Sequence, residues 1–226
     1  MNYLTEALAW IADLANQSGP NGIVTRLAEH LLYTTIATGG AALVAIPLGY
    51  AIGHTGRGRG LVVGATGAAR ALPTLGVLTL IALLAGVGVG APLIALGVLA
   101  APSILAGAYS GIEAVKPATV DAARAIGMSE WQVLQQVEIP LGLPQLLGGL
   151  RSATLQVVAT ATLVAYVGGG GLGRFLFLGL KTQDYPQMLA ASLLVVALAV
   201  IFEVLFEVVT RAGFRHGALP GSSVGI

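Results

Sequence analysis

Residues 71–112 read ALPTLGVLTLIALLAGVGVGAPLIALGVLAAPSILAGAYSGI, 42 positions without an Asp, Glu, Lys or Arg. An α-helix crosses the hydrocarbon core of a bilayer with about 20 apolar residues. The stretch is too long for one crossing and suits two, with Gly86–Pro92 (GVGVGAP) as the turn between them. Three further runs follow the same rule. Ser152–Gly173 is uncharged, Tyr185–Phe202 is extended past Glu203 by Val204-Leu205-Phe206, and His30–Gly56 is broken only by histidines near its ends. The sequence therefore predicts five spans, near 31–53, 62–86, 91–111, 144–167 and 187–209. Pro47 and Pro73 fall within spans and predict bends there.

Composition agrees. Of 226 residues, 56% are hydrophobic and 9% charged, against about 25% charged in a soluble domain. Mean hydropathy is +0.86, and glycine, at 32 residues, is about twice its usual share. These values exclude a disordered chain, a nucleic-acid binder and an ordinary soluble enzyme. With no cysteine, disulfide and thiol chemistry are excluded too. The expected fold class is an all-α, polytopic membrane protein.

Residues 1–26 form a separate N-terminal segment. Asn2-Tyr3 is no basic leader, and Glu6 and Asp13 interrupt the apolar part, so no secretory signal is expected. Leu4, Leu8, Ile11 and Ala15, with Trp10 beside them, read either as a short amphipathic helix at the membrane surface or as a frayed solvated helix, ended by Ser18–Gly22. Lysine and arginine set the orientation. Arg57, Arg59, Lys116, Arg124, Arg211 and Arg215 fall on one side of five spans, and Arg26, Arg174 and Lys181 on the other. The excess predicts a cytoplasmic C-terminal tail, 211–226, and an N-terminus outside.

The loop 112–143 is far longer than a turn requires. Thr119 is a candidate N-cap, with Asp121 in the first turn, and Val120–Ile126 reads as a short helix ended by Gly127. Ser129 and Gln132 form a capping box for a second helix carrying Trp131, and Pro140 and Pro144 close the segment.

This loop resembles the EAA loop of permease subunits in bacterial ABC importers: EAA, three residues, Gly, nine residues, Ile-x-Leu-Pro. Here the positions read Asp121-Ala122-Ala123, Gly127 and Val137-Glu138-Ile139-Pro140. Asp replaces Glu, Val replaces Ile, Ile replaces Leu, and Leu134 stands where many members have an aromatic. The likeness runs over residues 27–210 and is greatest to osmoprotectant permeases for glycine betaine, carnitine and choline; methionine permeases share the plan and are the nearest rival. The resemblance implies a type I importer permease in the bacterial cytoplasmic (inner) membrane, paired with an identical or paralogous second permease. It further implies two ATPase subunits, which carry ATP and Mg, and an extracytoplasmic solute-binding protein. Asp121, Ala122, Ala123, Gly127, Trp131, Val137, Ile139 and Pro140 would form the coupling helix that docks on the ATPase.

Other features are weighed beside this. Gly168, Gly170 and Gly173 match G-x-G-x-x-G but follow a membrane helix rather than a strand, so a bend outside span 4 is expected in place of a dinucleotide site. No G-x-x-x-x-G-K-[ST] exists, so the chain carries no P-loop of its own and no ATP cofactor is expected on it. Gly49/Gly53, Gly60/Gly64 and Gly86/Gly90 are small-xxx-small pairs that predict close helix packing. His30, His54 and His216 show no metal or triad spacing, so catalysis is not expected. Ser152, Gln156 and Thr160 recur every four residues as a polar stripe, read either as helix–helix bonding or as one wall of the translocation path. Thr34, Thr35, Thr38, Thr74 and Thr79 are candidates for the same wall. Arg70 and Arg151 are expected to snorkel to the headgroups. Aromatics are few and do not cluster within the spans, which assigns tight selection of a quaternary amine to a separate binding protein. A membrane enzyme or passive scaffold is the remaining alternative, disfavoured because only Arg70, Arg151, Glu203 and Glu207 are titratable in or near the spans.

Overall fold

The computed structural model describes residues 2–86 and 88–214, and the regular structure among them is helical. Four runs are long and apolar enough to cross a bilayer: Ile23–Thr55, Gly90–Glu113, Glu130–Val167 and Tyr185–Ala212. We number the helices α1 (Tyr3–Ala12), α2 (Leu14–Gln17), α3 (Ile23–Thr55), α4 (Arg59–Ala71), α5 (Thr74–Ala85), α6 (Gly90–Glu113), α7 (Pro117–Ala125), α8 (Glu130–Val133), α9 (Ile139–Thr160), α10 (Gly173–Thr182) and α11 (Tyr185–Phe214).

The span expected over 62–86 is two helices. Pro73 has no N–H to donate, and its ring drives Leu72 out of the helical region, to φ −75° and ψ 127°. The predicted bend is thus a full break, and the apolar α5, with 12 residues, is only about 18 Å long, too short to cross alone. Pro47, in contrast, lies inside an unbroken α3. That helix starts at Ile23, well before the expected 31, and ends on Gly56 in the left-handed conformation.

The core is a seam of small residues. Tyr33, Ala37, Ala41 and Ala45 on α3 face Leu96, Ala100, Ile104 and Ala108 on α6, both at four-residue spacing, and α9 adds Leu146, Ala153 and Val157. Gly49 and Gly53 extend the α3 ridge. A Cβ on them would come within 2.6 Å of Ala108 Cβ and 2.7 Å of Ile112 Cβ, so this pair packs as expected. Gly60, Gly64, Gly86 and Gly90 meet nothing within 4 Å and pack no helix closely. Close approach also joins residues of α6 and α9 outside the predicted pairs. A Cβ on Gly111 would stand 2.5 Å from Gly142 O, and one on Gly107 would stand 2.8 Å from Gly149 Cα. Backbones of α6 and α9 touch because neither side carries a side chain there.

The N-terminal segment forms two helices rather than one, since Asp13 leaves α1 and caps α2 by accepting from Ala15 N–H at 2.9 Å. It packs by Ala7, which is buried, and by Trp10, which meets Phe175 edge-on at 5.1 Å. Leu4 and Leu8 point away from the fold and remain exposed.

Candidate coupling loop and translocation path

Helix α7 begins at Pro117, earlier than expected, with Lys116 as N-cap. Proline at the first helical position supplies a helical φ and has no N–H to waste, which displaces Thr119 from the capping role. The C-terminus is a Schellman turn: Gly127 N–H donates to Arg124 O at 2.9 Å and Met128 N–H to Ala123 O at 3.2 Å. Gly127 has φ +90°, as its position in the sequence predicts. The Ser129–Gln132 capping box then starts α8. Arg124 reaches back across the turn and donates twice to Glu130, Nε to Oε1 and Nη2 to Oε2, both at 2.9 Å. These bonds hold the Glu130 carboxyl below its ordinary pKa and push the Arg124 guanidinium up.

The sequence reading closes this segment at Pro140 and Pro144; the structure does not. Leu134–Glu138 winds as a π turn, Ile139 N–H donating to Leu134 O, and the chain passes unbroken into α9. The wider turn shifts the bonding register ahead of Pro140 and so accommodates its missing donor. The loop is therefore the lower end of a membrane helix, not a tethered module.

Of the predicted loop residues, Ala123 and Val137 face inward, packing with Val115, Val120, Met128 and Val133. Asp121, Ala122, Trp131 and Pro140 are exposed, and Ile139 is half-buried. Ile126, not singled out in the sequence, is 80% exposed beside Trp131 at 64%, so two large apolar side chains project from the α7–α8 turn.

Histidine 54, two residues before Gly56, joins this loop to α3. Its Nδ1 lies 2.5 Å from Glu138 Oε2, and its Nε2 lies 3.4 Å from Glu130 Oε2. Glu138 sits in the π turn and is buried. The histidine noted as lacking metal or triad spacing is a structural bridge, and no cluster of metal ligands occurs among the described residues.

The other end of the bundle is held by the glycine run. Ala161–Val167 tightens to a 3-10 helix, and Gly168 and Gly171 take φ +90° and +81°. This is the bend expected after span 4. Gly170 N–H donates to Tyr33 Oη at 3.2 Å and Gly171 N–H to Glu29 Oε2 at 2.8 Å. A side chain at Gly170 would collide with Glu29. Buried His30 lies 2.9 Å from Val158 O through Nε2. Arg26, Glu29, His30 and Tyr33 share one α3 face at three- and four-residue spacing, a signal that the sequence reading passed over.

The polar stripe is only partly assembled. Ser152 is exposed, Gln156 Nε2 lies 3.4 Å from Leu99 O on α6, and Thr160 Oγ1 donates to Gln156 O at 2.8 Å. Thr38 is buried without a partner for its Oγ1, and Thr74 opens α5. Among the described residues, no side-chain hydrogen bond joins Thr38 or Thr74 to the stripe. Arg151 is ion-paired: its Nε donates to Glu203 Oε2 at 2.8 Å and its Nη1 to Glu207 Oε2 at 3.2 Å, tying α9 to α11. The side chain of Arg70 lies outside the described residues.

Residues 45–212 match the family described as Binding-protein-dependent transport system inner membrane component. The chain belongs to this family: it is a multi-pass permease subunit of an ABC importer. It is 32% identical to the glycine betaine/carnitine/choline transport system permease protein OpuCB of Bacillus subtilis over 86% of this chain and 90% of the relative. It is 30% identical to the Bacillus subtilis choline transport system permease protein OpuBB over 86% and 90%. The osmoprotectant import permease protein OsmW of Salmonella typhimurium is 30% identical, over 83% and 91%. Among solved structures, a chain of the inward-facing MetNI methionine ABC transporter shares the fold, with a TM-score of 0.74 at 22% identity over 85% of this chain and 96% of that one.

Proposed function

We propose that the chain imports a compatible solute, glycine betaine, carnitine or choline, as one of two permease subunits that form the path between them. A solute-binding protein delivers the solute from outside. Two separate ATPase subunits hold ATP and Mg and drive the cycle through residues 119–140. The loop and the C-terminal tail face the cytoplasm and the N-terminus faces out. The observation that carries this reading is the loop itself. It exposes Asp121, Ile126 and Trp131 on a rigid turn, continues into α9 through the π turn, and is pinned to α3 by His54. A push on α7 and α8 thus reaches two long helices at once.

The methionine-type fold match concerns architecture, whereas the relatives at 30–32% identity support a quaternary amine. The test is co-expression with the neighbouring ATPase and binding protein, followed by uptake into proteoliposomes. Glycine betaine, carnitine or choline should stimulate ATP hydrolysis and accumulate, and methionine should not. Stimulation by methionine alone would replace the solute assignment, and failure of any ATPase to co-purify would remove the coupling role.

A further inference from the structure

At the end of the bundle opposite the coupling loop lies a cavity of about 710 Å³ between α3, the 3-10 segment and α10. Its walls combine two chemistries. Arg26, Arg174 and Lys181 bring positive charge, while Tyr166, Phe175 and Phe177 bring aromatic faces. Tyr166 and Phe177 stand with ring centroids 5.7 Å apart and planes tilted by 49°. The three rings fall within one short stretch, residues 166–177, and the glycine bend at 168–171 turns Tyr166 back onto Phe177.

The charge balance defines the occupant. Arg26 is buried and already satisfied, donating to Glu29 Oε2 at 2.8 Å and to Asn21 Oδ1 at 2.5 Å. Arg174 and Lys181 form no ion pair among the described residues, and no carboxylate lines the cavity. Glu29, paired with Arg26 and within electrostatic reach of Arg174, offsets one of the three positive charges, and the excess that remains disfavours a simple cation. It suits a carboxylate, which a guanidinium and an ammonium hold by charge-assisted hydrogen bonds. The aromatic faces beside them suit a soft, weakly hydrated cation such as a trimethylammonium group. One small molecule class carries both groups a few bonds apart.

We infer that this cavity is a receiving site for zwitterionic quaternary amines, with the carboxylate between Arg174 and Lys181 and the ammonium against Tyr166 and Phe177, and that it selects glycine betaine and carnitine over choline. The inference rests on the osmoprotectant reading for its choice of ammonium, and on the geometry alone for its carboxylate. It makes Arg174 and Lys181 specificity-determining: choline has the same head and lacks the anion.

The test uses the permease with its ATPase subunits in nanodiscs of neutral lipid. Binding of glycine betaine, choline and methionine is measured for the wild type, for the double variant Arg174→Gln/Lys181→Gln, and for Tyr166→Leu. All three positions are at least partly open to solvent, and ATPase co-purification checks that each variant folds. We expect glycine betaine to bind and choline not to, and the double variant to weaken glycine betaine about tenfold or more. Tyr166→Leu should weaken glycine betaine by about two- to fivefold. Methionine bound in place of glycine betaine, and lost in the double variant, would keep the carboxylate role and overturn the osmoprotectant reading. Choline binding equal to glycine betaine, an unchanged double variant, or no binding at all would overturn the site. Competition by anionic lipid but by no solute would overturn it in favour of a headgroup contact.

Discussion

His54 at the end of α3 and Glu138 in the π turn lie 84 positions apart and meet at 2.5 Å between Nδ1 and Oε2. The pair bolts the coupling loop to the first long helix. Removing the histidine leaves a buried carboxylate without its partner, so His54→Ala should cost about 2–3 kcal/mol, less than a fully buried pair. Glu138→Gln retains shape and a hydrogen bond and should cost less. Thermal unfolding in detergent reads the stability. The ratio of ATP hydrolysed to solute moved reads the coupling, which should worsen more than the melting temperature falls. If both stay at wild-type values, the bolt carries no force.

Gly127 has open space where a side chain would stand, with nothing within 4 Å, but its φ is +90°. Substitution there is penalised by the backbone rather than by a clash, at about 1–3 kcal/mol. Gly127→Val should be worst, Gly127→Ala intermediate and Gly127→Asn mildest, because asparagine tolerates the left-handed region. Membrane insertion should survive in all three, while ATPase docking or uptake in vesicles falls in that order. Normal docking and uptake in the valine variant would remove the coupling role from the turn.

A methyl group at Gly111 would be forced to within 2.5 Å of the Gly142 carbonyl. Gly111→Ala should therefore separate α6 from α9 and abolish recovery of folded complex. Gly60→Ala, where nothing lies within 4 Å, should be neutral or stabilise α4 by about 0.5–1 kcal/mol. Size-exclusion profiles of the two variants side by side measure this. A well-folded Gly111→Ala complex would contradict the close approach.

Glu130 is held in its charged form by Arg124, so its folded pKa lies below its unfolded one. The Arg124 contact is then fully present above the ordinary carboxylate pKa and is lost as pH falls through the lowered value. Trp131, the adjacent residue, reports on it. In a Trp10→Phe background, Trp131 fluorescence should be flat at neutral pH and change on acidification. Glu130→Gln should remove that change. An identical acid transition in Glu130→Gln would assign it to another group.

The features legible in the sequence were those set by a few neighbouring residues. Uncharged runs disclosed the membrane class. Gly127 and the Ser129–Gln132 pair disclosed the loop's turn and cap, because left-handed φ and capping depend on local geometry. Pro73 was seen, but its effect was read as a bend, whereas it breaks the helix and Pro47 lies inside an unbroken one; a proline alone does not say which of the two follows. What only the tertiary structure decided lies between helices. Arg151 meets Glu203 across 52 positions, Gly171 meets Glu29 across 142, and Gly111 abuts Gly142. A helix that is apolar nearly all round has no stripe to reveal which face turns inward. That choice is made by where backbones without side chains can touch and where a polar group finds its partner, and both require the assembled bundle.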